Sequence, residues 1–344
     1  HTHSTRSTGQ LMRLVVLATL PGLVALTLAF GWGSAFNVLL ASASALLFET
    51  LVLKLRGRPV SFYLKDCSAL VTGVLLGLAL PPYCPWWLVV TGSGVAIILA
   101  KQVYGGMGYN PFNPAMVGYV VLLISFPVAM TQWAAPATTL GEGQSLVGLV
   151  DGLQKIWLGA PLDGYTAATP LDTVKQNQGQ LLADLYASDP TLNAGLLAGA
   201  GWEWVNIGFL LGGLFLLYKR IFTWHAPVSM LLSLTLMASL FYDASSQSQG
   251  SPLFHLLSGA TMLGAFFIVT DPVSSAVSNR GRLVYGALIG VLLYVMRAWS
   301  NYPDAVAFAV LLANFAAPFI DYYTLPRTYG HRKARRATEK QAEN

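Results

Sequence analysis

The sequence predicts an all-α polytopic membrane protein: about ten transmembrane helices in two inverted five-helix repeats, with one long loop on the outer side. Three observations lead there. The 344 residues are 54% hydrophobic and only 10% charged, whereas a soluble domain carries about 25% charged residues. Apolar runs of roughly 17 to 22 residues recur along almost the whole length, each enough to cross a hydrocarbon core of ~30 Å. Finally, the second half of the chain echoes the first.

The spans fall at about 11–31, 36–54, 67–81, 86–101, 114–131, 203–219, 221–242, 252–270, 282–299 and 303–321. The first has no cleavage-site pattern and runs on into its successors, so it reads as a resident helix and not as a removable leader. The chain opens on His1 rather than Met, and a short N-terminal piece is expected to precede it. Four segments follow: a first five-helix repeat over 1–131, an outer loop over 132–202, a second repeat over 203–325 and a basic tail over 326–344.

Charge orients the spans. Lys54, Arg56, Arg58 and Lys65 lie between spans two and three, Lys101 follows span four, Lys219 and Arg220 join six to seven, and Arg280 and Arg282 join eight to nine. Arg6 and Arg13 stand at the start, and Arg327, Arg332, Lys333, Arg335, Arg336 and Lys340 fill the tail. In a ten-span chain all of these share one side, leaving Lys155, Lys175 and Arg297 opposite. By the positive-inside rule both termini are cytoplasmic and the 132–202 loop is outside. The net charge of +5 therefore reads as topology and not as a nucleic-acid surface. Within the loop, Leu146, Val150, Leu153 and Trp157 recur at helical spacing, predicting a short helix on the membrane or on the protein's outer face.

The repeat rests on two pairs of segments. "LVTGVLLGLALP" (70–81) aligns with "TMLGAFFIVTDP" (261–272), matching Gly73 to Gly264 and Pro81 to Pro272, and "PAMVGYVVLL" (114–123) aligns with "PDAVAFAVLL" (303–312). Both pairs are offset by about 190 residues, and five spans lie between copies, so the halves enter the membrane in opposite senses. Such repeats build sites at their interface, often from broken helices. The clearest interruption is "YGGMGYNPFNPAM" (104–116), with Asn113 as a helix N-cap and Pro114 in the first turn. Gly106, Asn110 and Asn113 are candidates to line a flavin or quinone-like ring; a tight turn opening span five explains the pattern equally well.

Other chemistry is thin. Cys67 and Cys84 sit at opposite ends of one apolar run, about 25 Å apart if helical. They cannot pair, and two cysteines cannot hold an iron–sulfur cluster. His225 and His255 read as residues at span ends, Glu49 as a partner of nearby Lys54, and Asp271 and Asp321 as caps at span ends. No nucleophile–base pair or carboxylate dyad suggests bond-making catalysis.

One loop stretch differs. "DGYTAATP" (163–170) carries Asp163, Thr166, Ala168 and Thr169 in the pattern Asp-x-x-Ser/Thr-x-Ala-Thr. This resembles the acceptor site of bacterial flavin transferases, which join FMN through its phosphate to the last threonine. Thr169 supplies the hydroxyl, and Pro170 biases it towards an extended conformation that presents the side chain outward. Asp163, Thr166 and Ala168 would be the recognition residues. An ordinary polar loop is the alternative.

"DGYTAATPLDTV", "GGMGYNPFNPAM", "TDPVSSAVSNRGR" and "YPDAVAFAVLLANFAAPFID" together resemble one family of membrane proteins. It comprises the D subunit of bacterial Rnf electron-transport complexes and its relative, the B subunit of the sodium-pumping NADH:quinone reductase. The resemblance covers about residue 3 to residue 325. It implies a urea-transporter-like two-repeat fold in the bacterial inner membrane, a covalent FMN on Thr169 in a periplasmic loop, and riboflavin as a second flavin within the bundle. It implies electron flow between NADH and ferredoxin coupled to Na⁺ or H⁺ movement. The partners it implies are membrane subunits A and E, flavoprotein G, iron–sulfur subunits B and C, a flavin transferase and membrane lipid, with no nucleic acid. A small-solute transporter or channel on the same fold, without a redox cofactor, is the rival; a purely structural anchor is the third reading.

Overall fold

The computed structural model describes residues 7–140, 146–159, 164–177, 179–242, 250–302 and 304–324. Its longer helices lie where the apolar runs predict them. Four helical stretches are long and apolar enough to cross a membrane: Thr8–Phe30, Gly33–Leu55, Asn279–Trp299 and Val306–Thr324. Shorter apolar helices cover Ser68–Ala79, Trp86–Gln102, Pro114–Ser125, Trp202–Tyr218 and His225–Leu240. Their outward faces carry Leu28, Leu39, Leu47, Leu232, Phe315 and Phe319 bare. A surface this apolar suits lipid and not water. The chain is a membrane-embedded polytopic protein.

In chain order, α1 (Thr8–Ala18) starts on a Ser7–Gln10 capping box, and α2 (Leu20–Phe30) follows after a break. Pro21 causes the break: its missing N–H suits the first turn of a new helix and would disrupt the middle of a continuous one. Next come α3 (Gly33–Leu55), α4 (Val60–Leu64), α5 (Ser68–Ala79) and α6 (Trp86–Gly94), the last continuing as a π-helical turn over Val95–Gln102. After α7 (Pro114–Ser125), the predicted span to 131 breaks at Phe126 because Pro127 opens the short α8 (Pro127–Thr131). The second half holds α13 (Trp202–Tyr218), α14 (His225–Leu240), α15 (Pro252–Leu257), α16 (Thr261–Leu263), α17 (Asn279–Trp299) and α18 (Val306–Thr324).

Small residues set the helix crossings, as expected where lipid offers apolar side chains as good a home as protein. A Cβ on Gly77 of α5 would stand 2.6 Å from the Val38 Cα of α3, and one on Gly208 of α13 would stand 2.7 Å from the Pro21 carbonyl oxygen. One on Gly286 of α17 would collide with the Ala226 carbonyl of α14.

The run predicted as one span over 252–270 is three pieces: α15, α16 and a π-helical turn over Gly264–Ile268. The chain turns through Ser258–Ala260, with Gly259 at φ +59. Inside a membrane such a break persists only if its polar groups find partners. Asn206 of α13 donates Nδ2 to the Leu257 and Gly259 carbonyls, at 2.8 and 3.0 Å. Arg297 of α17 donates to the carbonyls of His255, at 2.8 Å, and Ser258, at 3.3 Å. The Ala260 N–H donates to Asp304 Oδ2 at 2.7 Å.

The described parts of the 132–202 segment fold back onto the bundle. Trp133–Ala134 (β1) and Thr166–Ala167 (β2) form an antiparallel pair, with Trp133 opposite Ala167 and Ala134 opposite Thr166. Helix α9 (Leu149–Leu158) matches the predicted loop helix. Its protein-facing side is Gly152 and Ile156, while Val150, Trp157 and Leu158 face outward. Trp157 stacks on Trp86 of α6, with ring centroids 5.6 Å apart. Helices α10 (Pro170–Gln176), α11 (Leu182–Ser188) and α12 (Pro190–Asn193) enclose a small apolar core of Leu171, Val174, Leu182, Leu185, Leu192 and Ala198, into which Phe254 of α15 inserts.

Candidate functional site

Thr169 lies where β2 hands over to α10. Its backbone is extended (φ −71, ψ 157), as the following proline requires, and it caps α10 with Pro170 in the first turn. The side chain does not project into open solvent, contrary to the outward presentation predicted from the sequence. Thr169 Oγ donates to Asp172 Oδ2 at 2.6 Å and accepts from the Asp172 N–H at 3.2 Å, while the Thr169 N–H donates to the same Oδ2 at 3.3 Å. The pair forms a capping box, which turns the hydroxyl along the helix start. Burial raises the Asp172 carboxyl above the usual range; the Thr169 hydrogen bonds oppose this, Asp304 reinforces it and Lys175 opposes it. Lys175 is itself lowered by burial and donates Nζ to the carbonyls of Arg297 and Tyr302, each at 3.2 Å.

From this rim a narrow slot runs inward between the two halves of the chain. Thr169, Asp172, Tyr302 and Asp304 line it alongside Trp133, Trp202, Tyr119, Met116, Met130 and Leu78, around a cavity of about 80 Å³. Trp133 and Trp202 pack against each other with centroids 4.9 Å apart, and Phe30 backs Trp202 at 5.2 Å. At the polar end, Arg297 Nη2 meets Asp304 Oδ1 at 3.0 Å and Thr261 Oγ1 at 2.9 Å. A hydroxyl paired with a carboxylate thus borders a slot that has aromatic side chains in its wall.

Of the other predicted acceptor residues, Thr166 and Ala168 are exposed and stand outside the slot, which suits residues read by another protein. Asp163 lies outside the described residues. Asp304, Arg297, Trp133 and Trp202 carry no local signal and are brought in only by tertiary folding. Asp172 is readable in the sequence as the third residue after a threonine cap.

A second cavity opens at the other end of the bundle. It is lined by Asn110 and Asn113 together with Thr72, Lys101, Phe267 and Asp271. Asn113 caps α7 as predicted, accepting from the Met116 N–H at 3.3 Å. Its own N–H donates to Asn314 Oδ1 of α18 at 3.1 Å, and Asn314 in turn donates to the Ser274 carbonyl and to Tyr285 Oη. Gly105, Gly106 and Gly108 all have positive φ. Gly106 stands outside the wall of this cavity, against the side chain of Gln102. Asp271, predicted as a cap, closes a turn just beyond the π-helical turn, accepting from the Val273 N–H and the Ser274 hydroxyl; Asp321, predicted likewise, lies within α18 and accepts from the Val277 N–H of the segment before α17.

Glu49 departs from prediction. Its partner is not Lys54, which is exposed, but Lys101 in the π-helical turn, at 3.0 Å with both side chains buried. Glu49 is on the buried side of α3, where Ser68 and Gln102 complete the cluster: Lys101 donates to Ser68 Oγ at 2.8 Å and Gln102 donates to Glu49 at 2.7 Å. Both cysteines are free.

Known proteins place these features in a family. The model of the NQR2, RnfD, RnfE family matches residues 1–330. The chain is similar to a Cellvibrio japonicus protein named as the D subunit of an ion-translocating oxidoreductase complex, at 66% identity over 100% of this chain and 97% of the relative. Proteins of the same name from Ectopseudomonas mendocina and Aliivibrio salmonicida are 59% and 56% identical, over 97% of this chain in each case and 95% and 97% of the relatives. With the helical bundle, the family model and full-length similarity in agreement, the chain belongs to the NQR2, RnfD, RnfE family.

Proposed function

We propose that this chain is the D subunit of an ion-translocating oxidoreductase complex and carries a covalent FMN on Thr169. The observation that carries the reading is the placement of the Thr169 hydroxyl: bonded to Asp172 at 2.6 Å, on the rim of an aromatic slot between the two halves. A phosphoester at Thr169 holds a flavin by its ribityl tail, and Trp133, Trp202 and Tyr119 would enclose the ring. When bound, the flavin supplies one- and two-electron chemistry; the protein supplies position, exclusion of water and electrostatics. Asp163, Thr166 and Ala168 serve recognition by the transferase. The inner cavity, with Asn110 and Asn113, takes a second flavin, riboflavin, for which the amide groups offer both donors and acceptors.

In this reading the chain crosses the bacterial inner membrane ten times as two inverted repeats, 1–131 and 203–325, in a urea-transporter-like fold. Support comes from Pro81 and Pro272, which stand just beyond the ends of α5 and of the π turn at Ile268, and from walls that both halves contribute to each cavity. The 132–202 loop is periplasmic; the termini and the basic 326–344 tail are cytoplasmic. Electrons pass between NADH and ferredoxin through a complex with membrane subunits A and E, flavoprotein G and iron–sulfur subunits B and C, coupled to Na⁺ or H⁺ movement.

Two measurements test this. The chain purified from cells that contain the transferase keeps a flavin absorbance after denaturation and washing, on the peptide bearing Thr169, and releases a second flavin into the wash. A colourless washed chain would instead favour the transporter or anchor readings. For topology, a cysteine replacing Lys175 is labelled by an impermeant maleimide from the outer side, and one replacing Arg335 only after the cells are opened. Labelling of both from one side means the number of crossings between them is even.

A further inference from the structure

We propose that Asp172 is the general base for flavin attachment at Thr169, so that the acceptor chain supplies part of the machinery that modifies it. The inference rests on the reading that Thr169 is the acceptor. A threonine hydroxyl is a poor nucleophile until its proton is removed, and a base within about 2.6–3.2 Å is the usual arrangement for removing it. Thr169 Oγ and Asp172 Oδ2 are 2.6 Å apart. The carboxylate is also fixed in direction, because the same oxygen accepts the Thr169 N–H at 3.3 Å.

The surroundings favour proton uptake. The titratable groups facing Asp172 are Asp304, from the segment before α18, Lys175, on its own helix, and Tyr119 of α7. Burial and Asp304 both make the carboxylate hold a proton more readily. Lys175 acts the other way, but its ammonium is engaged by the carbonyls of Arg297 and Tyr302. Asp304 is neutralised in part by Arg297 at 3.0 Å.

The step balances without an oxidant. Thr169 Oγ attacks the flavin-side phosphorus of a flavin adenine dinucleotide presented by the transferase. The Oγ–P bond forms as the bond from that phosphorus to the bridging oxygen breaks, and the adenylate leaves with the electron pair. The hydroxyl proton passes to Asp172 Oδ2 and from there to water.

A capping box alone needs only a hydrogen-bond acceptor at position 172, and an asparagine side chain supplies one. That difference makes the test. Unmodified full-length chain in detergent is mixed with the transferase and flavin adenine dinucleotide, and the initial rate of covalent labelling is read from in-gel flavin fluorescence. Asp172→Asn lowers the rate about 100-fold, within the usual contribution of a general base, while thermal unfolding and the labelled peptide stay unchanged. Asp172→Ala falls as far, and formate restores part of its rate; a merely misfolded chain does not respond to formate. Labelling of Asp172→Asn within about threefold of the unaltered chain overturns the proposal, since a base is worth far more than that. Failure of the unaltered chain to be labelled, or labelling elsewhere, overturns the acceptor reading itself and this inference with it.

Discussion

Thr169→Ala yields a membrane-inserted, folded chain with no covalent flavin. The change removes the one oxygen at this position that can take a phosphoester, so the loss is complete and not graded. It also removes half of a capping box: the Asp172 N–H loses its acceptor and the Asp172 carboxylate loses its closest donor. Replacing a threonine cap by alanine costs on the order of 1 kcal/mol. That loss is local, because α10 is also held by Leu171 and Val174 in the small apolar core shared with Phe254. Thr169→Ser keeps the oxygen and the cap, and so retains flavin. Mass analysis of the peptide containing residues 164–177 reads both outcomes directly. A flavin still bound covalently to the Thr169→Ala chain places the acceptor elsewhere and removes the basis for the assignment.

From the sequence alone, changes in this loop are expected to be energetically silent, as exposed loop substitutions usually are within about 0.5 kcal/mol. The capping box shows why Thr169 is an exception, and the Thr-x-x-Asp spacing that produces it is visible in the chain. Legible features are local ones: apolar runs of membrane-spanning length, Asn113 before Pro114, the loop helix over Leu149–Leu158 and the small residues around Thr169. The break at Ser258–Ala260 is not legible, because "FHLLSGATMLGAFFIV" reads as one apolar run. What holds it open are Asn206, Arg297 and Asp304, each contributed by a different part of the chain. The aromatic slot is hidden for the same reason: Trp133 and Trp202 border the outer loop in sequence and meet only once it folds back.

Sequence proximity pairs Glu49 with Lys54, and the partner it has instead, Lys101, yields the second large effect expected. Glu49→Ala leaves the Lys101 ammonium buried with Ser68 Oγ in place of a carboxylate, and takes the acceptor from Gln102 Nε2. Breaking a buried pair on one side costs about 3–5 kcal/mol, because the remaining charge keeps its desolvation cost without compensation. Lys101→Met leaves the Glu49 carboxylate with Gln102 alone, and should cost a similar amount. The paired change Glu49→Met with Lys101→Met removes both charges and should recover most of the loss, since apolar replacement of a whole buried pair is often neutral. Thermal unfolding in detergent measures all three, and a coupling near zero between the two sites would exclude a structural ion pair. The double variant also separates two roles. Lys101 lines the inner cavity with Asn110 and Asn113, and ionisable groups inside a membrane are functional suspects by default. If the pair serves only to hold α3 against the π-helical turn, the stable double variant keeps the non-covalent flavin proposed for that cavity. If the ammonium is there for the occupant of the cavity, the fold survives the double change and the non-covalent flavin is lost, while the flavin proposed on Thr169 stays in place.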